Sequence, residues 1–323
     1  METVSNKDNR ETVSNRDNRK AAGVDDNRQT VGVKGNPKTA VVEDKRQKEI
    51  HRMDLAFANE LSTRVNAVIG RPTRSASQRL KCGVDLGTAY IVLMVLDEND
   101  EPIACEMQFA SVIKDGLVVD YFKTLDIVKR LKGEIEEGVG QELLNAAIAM
   151  PPGMEHNTMT HRYIVESAGF EVRNVLDEPS AANAALRISN GVVVDVGGGT
   201  TGFAVFRDGK VVKVGDEPTG GVHLSLVIAG GRGISLEQAE EFKQEEKNHA
   251  KLLPVVRPVL EKMATIVSRG ISGYDADMIY LCGGTCRFEG VSDVFEEICG
   301  IPALVPENPM LITPLGIAMC CPV

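Results

Sequence analysis

Gly191-Val192-Val193-Val194-Asp195-Val196-Gly197-Gly198-Gly199-Thr200-Thr201 is the stretch on which the reading of this chain turns. Val192 to Val194 is a β-branched run suited to a buried strand, and it leads directly into an aspartate and three glycines. Glycines lack a Cβ, so their backbone N–H groups can approach an anion closely; the threonine hydroxyls add donors, and the aspartate can hold a hydrated metal ion. The pattern suits phosphate.

A second copy lies upstream, where Gly83-Val84-Asp85-Leu86-Gly87-Thr88 leads into Ile91-Val92-Leu93-Met94-Val95. Two strand–Asp–Gly–Thr–strand hairpins predict two loops gripping one nucleotide from opposite sides, with the paired carboxylates facing a common Mg²⁺. One such loop could be an ordinary glycine-rich hairpin. Two in one chain argue against that.

With these motifs the chain resembles the actin, sugar-kinase and heat-shock-chaperone ATPase superfamily, and further segments follow in the matching order. Glu178-Pro179-Ser180-Ala181-Ala182 resembles the first connecting helix between lobes, Leu281-Cys282-Gly283-Gly284-Thr285 the adenosine loop, and Thr313-Pro314-Leu315-Gly316-Ile317-Ala318 the second connecting helix. The resemblance spans about Lys81 to Pro322. It implies a two-lobed actin-like α/β fold of duplicated ribonuclease H-like domains, with the nucleotide in the cleft between lobes.

Within that superfamily the chain is similar to the EutJ-type family of chaperone-like proteins encoded with ethanolamine-utilisation bacterial microcompartments. Leu176-Asp177-Glu178-Pro179-Ser180, Gly220-Gly221-Val222-His223-Leu224-Ser225-Leu226, Pro258-Val259-Leu260-Glu261-Lys262-Met263-Ala264 and Met310-Leu311-Ile312-Thr313-Pro314-Leu315 carry that likeness. It implies an ATP-dependent chaperone-like or assembly factor, with ethanolamine-utilisation enzymes or shell proteins as partners.

The resemblance also implies site roles. Asp85 and Asp195 would bind Mg²⁺ through water, and Gly87, Thr88, Gly197, Gly198, Gly199 and Thr200 would bind the phosphates of ATP. Backbone donors and a metal suit that charge. Glu178 is the candidate for positioning an attacking water, although Asp177 beside it leaves open which carboxylate faces the metal. Gly283, Gly284 and Thr285 would let adenosine lie against the backbone, with Arg287 stacked on the base. Glu240 and Lys243, three apart on one helix face, resemble ribose and adenine contacts of bacterial actins; the alternative is a solvated charge pair. Gly220 and Gly221 would border the nucleotide. Two departures point to slow or absent hydrolysis. The essential lysine of the heat-shock ATPases has only a loose counterpart in Lys114, and the second connecting segment lacks their acidic residue.

Composition narrows the class. At 323 residues and 43% hydrophobic content the chain can bury two modest cores. No apolar run approaches the ~20 residues that cross a bilayer, and no apolar segment follows Met1. A cytoplasmic protein, associated with a microcompartment through the family, is the expectation. Seven cysteines without a secretory signal argue against a disulfide framework. Cys282, Cys286, Cys299 and Cys320-Cys321 match no familiar zinc spacing and read as small packed residues. The net charge is −10: residues 1–52 hold 12 Lys/Arg and 9 Asp/Glu, a balance of +3, which leaves −13 elsewhere. An acidic body with few aromatics excludes a nucleic-acid binder.

Residues 1–49 form a polar tail in which Glu2 to Arg10 repeats as Glu11 to Arg19, and disorder is expected because little can be buried. Met53 is an alternative initiator. Residues 50–79 read as an amphipathic helix and linker, with Ile50, Met53, Phe57, Leu61, Val65 and Val68 at helical spacing up to Arg71-Pro72. Such a helix either docks cargo to a shell, as encapsulation segments do, or packs against the body. Lobe I is expected over 80–190, with 306–323 returning to it, and lobe II over 191–305.

The chain ends just after the second connecting helix, so no heat-shock-type peptide-binding domain is expected. A polymerising bacterial-actin filament and a small-molecule kinase are the competing functions. The first would need a larger outer subdomain than 221–272 offers, and the second a catalytic aspartate that the sequence does not reveal.

Overall fold

The computed structural model describes residues 53, 55–75, 77, 79–153 and 158–323. The polar repeats and Ile50 lie outside the described residues. After helix α1 (Ala56–Val68), the strongly apolar β1 (Lys81–Leu86), β2 (Tyr90–Leu96) and β3 (Pro102–Phe109) form an antiparallel meander. A short hairpin, β4 (Ile113–Lys114) and β5 (Leu117–Val118), precedes α2 (Tyr121–Val139), whose first turn is capped by the Asp120 carboxylate accepting from Lys123 N. Then β6 (Asn145–Met150), α3 (Thr158–Ser167) and β7 (Glu171–Asp177) add two parallel strands, giving the order β3-β2-β1-β6-β7.

Helix α4 (Glu178–Leu186) carries the chain to a second sheet. Its strands β8 (Gly191–Val196), β9 (Thr201–Arg207), β10 (Lys210–Glu217), β11 (Ile279–Cys282) and β12 (Ala303–Leu304) are ordered β10-β9-β8-β11-β12, the same plan as the first. Between β10 and β11 come α5 (Gly221–Arg232), α6 (Leu236–Gln244) and α7 (Glu246–Gly270); α8 (Val291–Cys299) and α9 (Pro309–Met319) complete the chain.

Three apolar cores hold this arrangement. Ile127, Val128, Leu131 and Ile135 of α2 bury one face of the first sheet, and Val256, Leu260, Met263 and Val267 of α7 bury one face of the second. Between the sheets, α4 and α9 cross amid Met94, Leu96, Val193, Phe206 and Tyr280. A Cβ at Gly316 would overlap the Ala181 carbonyl, so only glycine allows α9 to lie this close to α4.

Of the two roles open to the amphipathic helix, packing against the body holds over its described part: Leu55, Ala58, Leu61, Val65 and Val68 are buried in the central core. Other expectations need adjusting. What reads as linker begins by running along β3, where Gly70 N donates to Cys105 O and Thr73 N to Ile103 O. Helix α7 runs from Glu246 through Pro254 and Pro258, both of which lie on its exposed side. The carbonyls those prolines leave unbonded sit on the solvent face of the helix. Helix α9 likewise starts at Pro309 and passes through Pro314. The seven cysteines are all free thiols.

Candidate functional site

Both glycine–threonine loops are closed by the same hydrogen bond. Gly87 N donates to Tyr90 O at 3.0 Å, and Gly197 N donates to Thr200 O at 3.0 Å. The carbonyls of the second loop are bound from behind, since Gly221 N donates to Gly197 O, Val222 N to Gly198 O and Thr285 Oγ1 to Gly197 O. Gly220 backs directly onto this loop: its Cβ would lie 2.6 Å from the carbonyl carbon of Gly199 and 2.7 Å from that of Gly198.

The two loop tips meet. A Cβ on Gly199 would lie 2.6 Å from Thr88 Oγ1, and one on Gly198 would lie 3.1 Å from the Cβ of Ala89. They close over one cavity lined by Asp85, Gly87, Thr88, Glu178, Asp195, Gly197–Gly199, Thr200, Gly283, Gly284 and Thr313. Gly116, in the turn between β4 and β5, joins them, and Asp115 N lies 3.0 Å from the Gly199 Cβ position. Lys114 is exposed and does not line this cavity.

Four acids converge here. Asp195 is 5% exposed and accepts a hydrogen bond from Thr313 Oγ1. Burial pushes its carboxyl up to about 6, against the lowering effect of Thr313. Burial and then the charge of Asp195 push Asp85 up to about 7. Glu178 is raised well above the ordinary carboxylate range by burial first, then by Asp195, Asp85, Asp216 and Asp177. Asp216 at the end of β10 is pushed up to about 7 by burial, with a Thr200 hydrogen bond opposing, and its Oδ1 is buried without a partner. Among the described residues no lysine or arginine forms an ion pair with any of the four. The pairing of Asp177 with Glu178 is also resolved in space: Asp177 caps α4 by accepting from Ser180 N at 2.9 Å, leaving Glu178 to face the cavity.

Uncompensated buried carboxylates are the environment a hydrated divalent cation neutralises. Asp85 and Asp195 are the two that could hold it through water.

A second cavity adjoins the first through Ala89, Tyr90, Gly198, Gly284 and Met310. Glu240, Lys243, Thr285 and Arg287 line it together with His249 and Phe288. Glu240 and Lys243 are not a solvated pair. Lys243 Nζ donates to Glu240 Oε2 at 2.7 Å, to Ser225 Oγ at 3.1 Å and to Gly221 O at 3.1 Å, so its position is fixed by α5. His249 is fixed by Lys243 O and Glu289 N and lies 4.3 Å from the Phe288 ring, centroid to centroid. The exposed guanidinium of Arg287 stands at the rim.

The structure thus gathers the residues expected for phosphate and metal into one cavity and Glu240, Lys243, Thr285 and Arg287 into its neighbour; Gly284 lines both, Gly283 lines the first rather than the nucleoside cavity, and Gly220 and Gly221 support the loop from behind rather than bordering the cavities. Sequence reasoning missed Thr313, Gly116, Asp216 and His249. Thr313 opens a quoted motif, and the Asp115-Gly116 dipeptide between Ile113 and Leu117 is a hairpin-turn signal; its two residues have φ of 48° and 77°. Nothing around Asp216 or His249 marks them in sequence.

Known proteins agree with this geometry. The family profile of cell division protein FtsA matches residues 192–316. Ethanolamine utilization protein EutJ of Escherichia coli K12 is 43% identical over 240 residues, 73% of this chain and 84% of its own length. The crystal structure of EutJ from Carboxydothermus hydrogenoformans superposes with a TM-score of 0.76 at 45% identity, covering 81% of this chain and 98% of that one. MreB5 of Spiroplasma citri bound to AMPPNP shares the fold, with a TM-score of 0.61 at 16% identity over 74% of this chain and 95% of that one. With two matching sheets, paired loops and these relatives, the chain belongs to the EutJ family of ethanolamine utilization proteins, within the actin-like ATPase superfamily.

Proposed function

We propose that this protein binds one Mg·ATP between its lobes and acts as a nucleotide-gated switch in the assembly or chaperoning of ethanolamine-utilisation enzymes or shell proteins at a microcompartment. The observation that carries this reading is the meeting of two identically closed glycine–threonine loops over a cavity that holds Asp85, Asp195 and Glu178.

Thr88, Gly198, Gly199 and Thr200 offer backbone N–H groups, and Thr88 its hydroxyl, to phosphate oxygens, while Gly87 and Gly197 spend their own N–H groups closing the two loops. Asp85 and Asp195 hold the water shell of the metal, with Thr313 fixing one oxygen of Asp195. Bound Mg²⁺ supplies charge neutralisation at the phosphates and lowers the cost of keeping three acids together. Glu240 and Lys243 bind the ribose and base edge, with Gly283, Gly284 and Thr285 beneath the adenosine and Arg287 over it. Glu178 orients the lytic water. Contacts from both loops to the terminal phosphate favour the closed cleft; without them the lobes separate about the α4–α9 crossing.

Calorimetric titration of ATP with and without Mg²⁺ tests binding, and single-turnover hydrolysis tests Glu178. One Mg-dependent site per chain is expected, and Glu178→Gln should keep affinity while losing most turnover, since water positioning matters in the transition state. Equal turnover in wild type and Glu178→Gln would remove that role. Absence of ATP binding would remove the switch.

A further inference from the structure

The first sheet closes its own outer edge. Along β3, Ile69 bridges Cys105, Gly70 N donates to Cys105 O at 3.1 Å and Thr73 N to Ile103 O at 2.9 Å. The strand in the matching position of the second sheet is β10, and among the described residues no backbone hydrogen bond reaches its outer edge. An open edge strand is a template for a further strand. On β10 it displays Val211, Val212 and Val214, which are 43%, 43% and 37% exposed.

The charge along this strand identifies what fits it. Lys210-Val211-Val212-Lys213-Val214-Gly215-Asp216-Glu217 carries exposed Lys210 at its start and exposed Glu217 at its end, with Asp216 turned into the cleft. Aligned antiparallel with itself, Lys210 of one strand lies beside Glu217 of the other; aligned parallel, like charges meet. An isologous contact needs this self-complementarity, whereas a strand from an unrelated partner does not. The register irregularity between Val211 and Lys213 limits the pairing to a short stretch and discourages indiscriminate addition of strands. We propose that β10 pairs antiparallel with β10 of a second copy across a twofold axis, joining the two lobe II sheets into one. The inference does not depend on nucleotide binding.

Sedimentation velocity on the full chain, at about 1 to 100 µM, tests it directly, with a concentration-dependent dimer expected. Lys210→Glu and Glu217→Lys each replace an attractive cross-strand pair by a repulsive one, twice per dimer, and each should weaken the dimer about tenfold. The double variant Lys210→Glu/Glu217→Lys reverses the pattern but keeps it self-complementary, so it should return to the wild-type dissociation constant. Both side chains are exposed, and unchanged circular dichroism will show that the variants are folded. Deuterium exchange at residues 211–214 should slow as concentration rises. A monomer throughout the range would overturn the proposal. So would a dimer indifferent to the single variants, a double variant no tighter than they are, or exchange at 211–214 that does not change with concentration.

Discussion

In lobe I the loop between β1 and β2 carries one glycine before its threonine, Gly87-Thr88; in lobe II the loop between β8 and β9 carries three, Gly197-Gly198-Gly199, before Thr200. What surrounds each loop accounts for the difference. Gly220 and the start of α5 bind the carbonyls of the second loop from behind, while in front Cβ atoms on Gly198 and Gly199 would meet Ala89, Thr88 and Asp115 of lobe I; Gly197 alone has ordinary space, 3.7 Å from Thr200 O. At Gly87 the near neighbour is the Tyr90 carbonyl, 2.8 Å from a would-be Cβ. The same sheet plan has therefore been specialised: lobe II supplies the crowded cradle and the nucleoside cavity, and lobe I the opposing clamp. Glycine count follows the packing around the loop as much as the ligand in front of it.

The largest effect should come from matched glycines at the ends of the equivalent strands β6 and β11. Gly283 has a φ of +91°, and a Cβ there would overlap Asp195 and the Val196 carbonyl. Gly153 has a φ of +83° with no described residue within 4 Å of its Cβ position. Gly283→Ala should destabilise by about 3 kcal/mol or more, combining clash and backbone strain, whereas Gly153→Ala should cost only the strain, about 1–2 kcal/mol. Urea unfolding of both variants gives the comparison. Equal losses would show that lobe II is not the more crowded side.

A smaller effect is set by pH. Asp85 at about 7 and Asp195 at about 6 both lie above their ordinary 3.8, so the folded protein holds protons that the unfolded chain has released. The stability this gives is fully present below about 3.8, where the unfolded carboxyls are protonated too, and is lost progressively from there until pH has passed 6 to 7. Without Mg²⁺ the unfolding free energy should fall by roughly 1–2 kcal/mol across that window, after discounting for solvent at the half-buried Asp85. Asp85→Asn should flatten the upper part of the slope and Asp195→Asn the lower part. Denaturant unfolding at a series of pH values reads both, and a wild-type slope of the opposite sign would contradict the assignment of these carboxylates.

Thr313→Val should have the smallest effect. It removes the hydroxyl that donates to Asp195, so the Asp195 carboxyl should titrate at a higher pH, with a stability loss of about 1 kcal/mol at neutral pH. An NMR titration of the aspartate carboxyl carbons would show it. Unchanged titration would mean that Thr313 does not tune lobe II.

How much of this was legible in sequence follows from the range of each contact. The duplicated Asp–Gly–Thr hairpins were readable because strand, turn and ligand residues are contiguous, and the registers of β1 with β2 and of β8 with β9 are those of simple hairpins. The nucleoside cavity was partly readable: Glu240 and Lys243 are three apart on one helix, whereas His249 enters from the next helix and is held by Glu289. Asp216 was not readable, since it ends an exposed strand and becomes buried only when β10 pairs with β9 beside Pro152 and Pro179 of the first half. The docking of α1 was readable as one of two options, because an apolar stripe calls for a partner surface without naming it. The course of α7 through Pro254 was not readable, because a proline at a helix start and one on a helix's solvent face look alike in sequence.

The central claim is that one nucleotide is held by both lobes at once. Calorimetric titration of Mg·ATP into wild type, Asp85→Asn and Asp195→Asn tests it most directly, since the two substitutions lie in different lobes and both keep the side-chain shape. Each alone should weaken binding at least about tenfold, with one site per chain retained in wild type. Wild-type affinity in both variants would contradict the two-loop site, and loss confined to Asp195→Asn would place the nucleotide in lobe II alone.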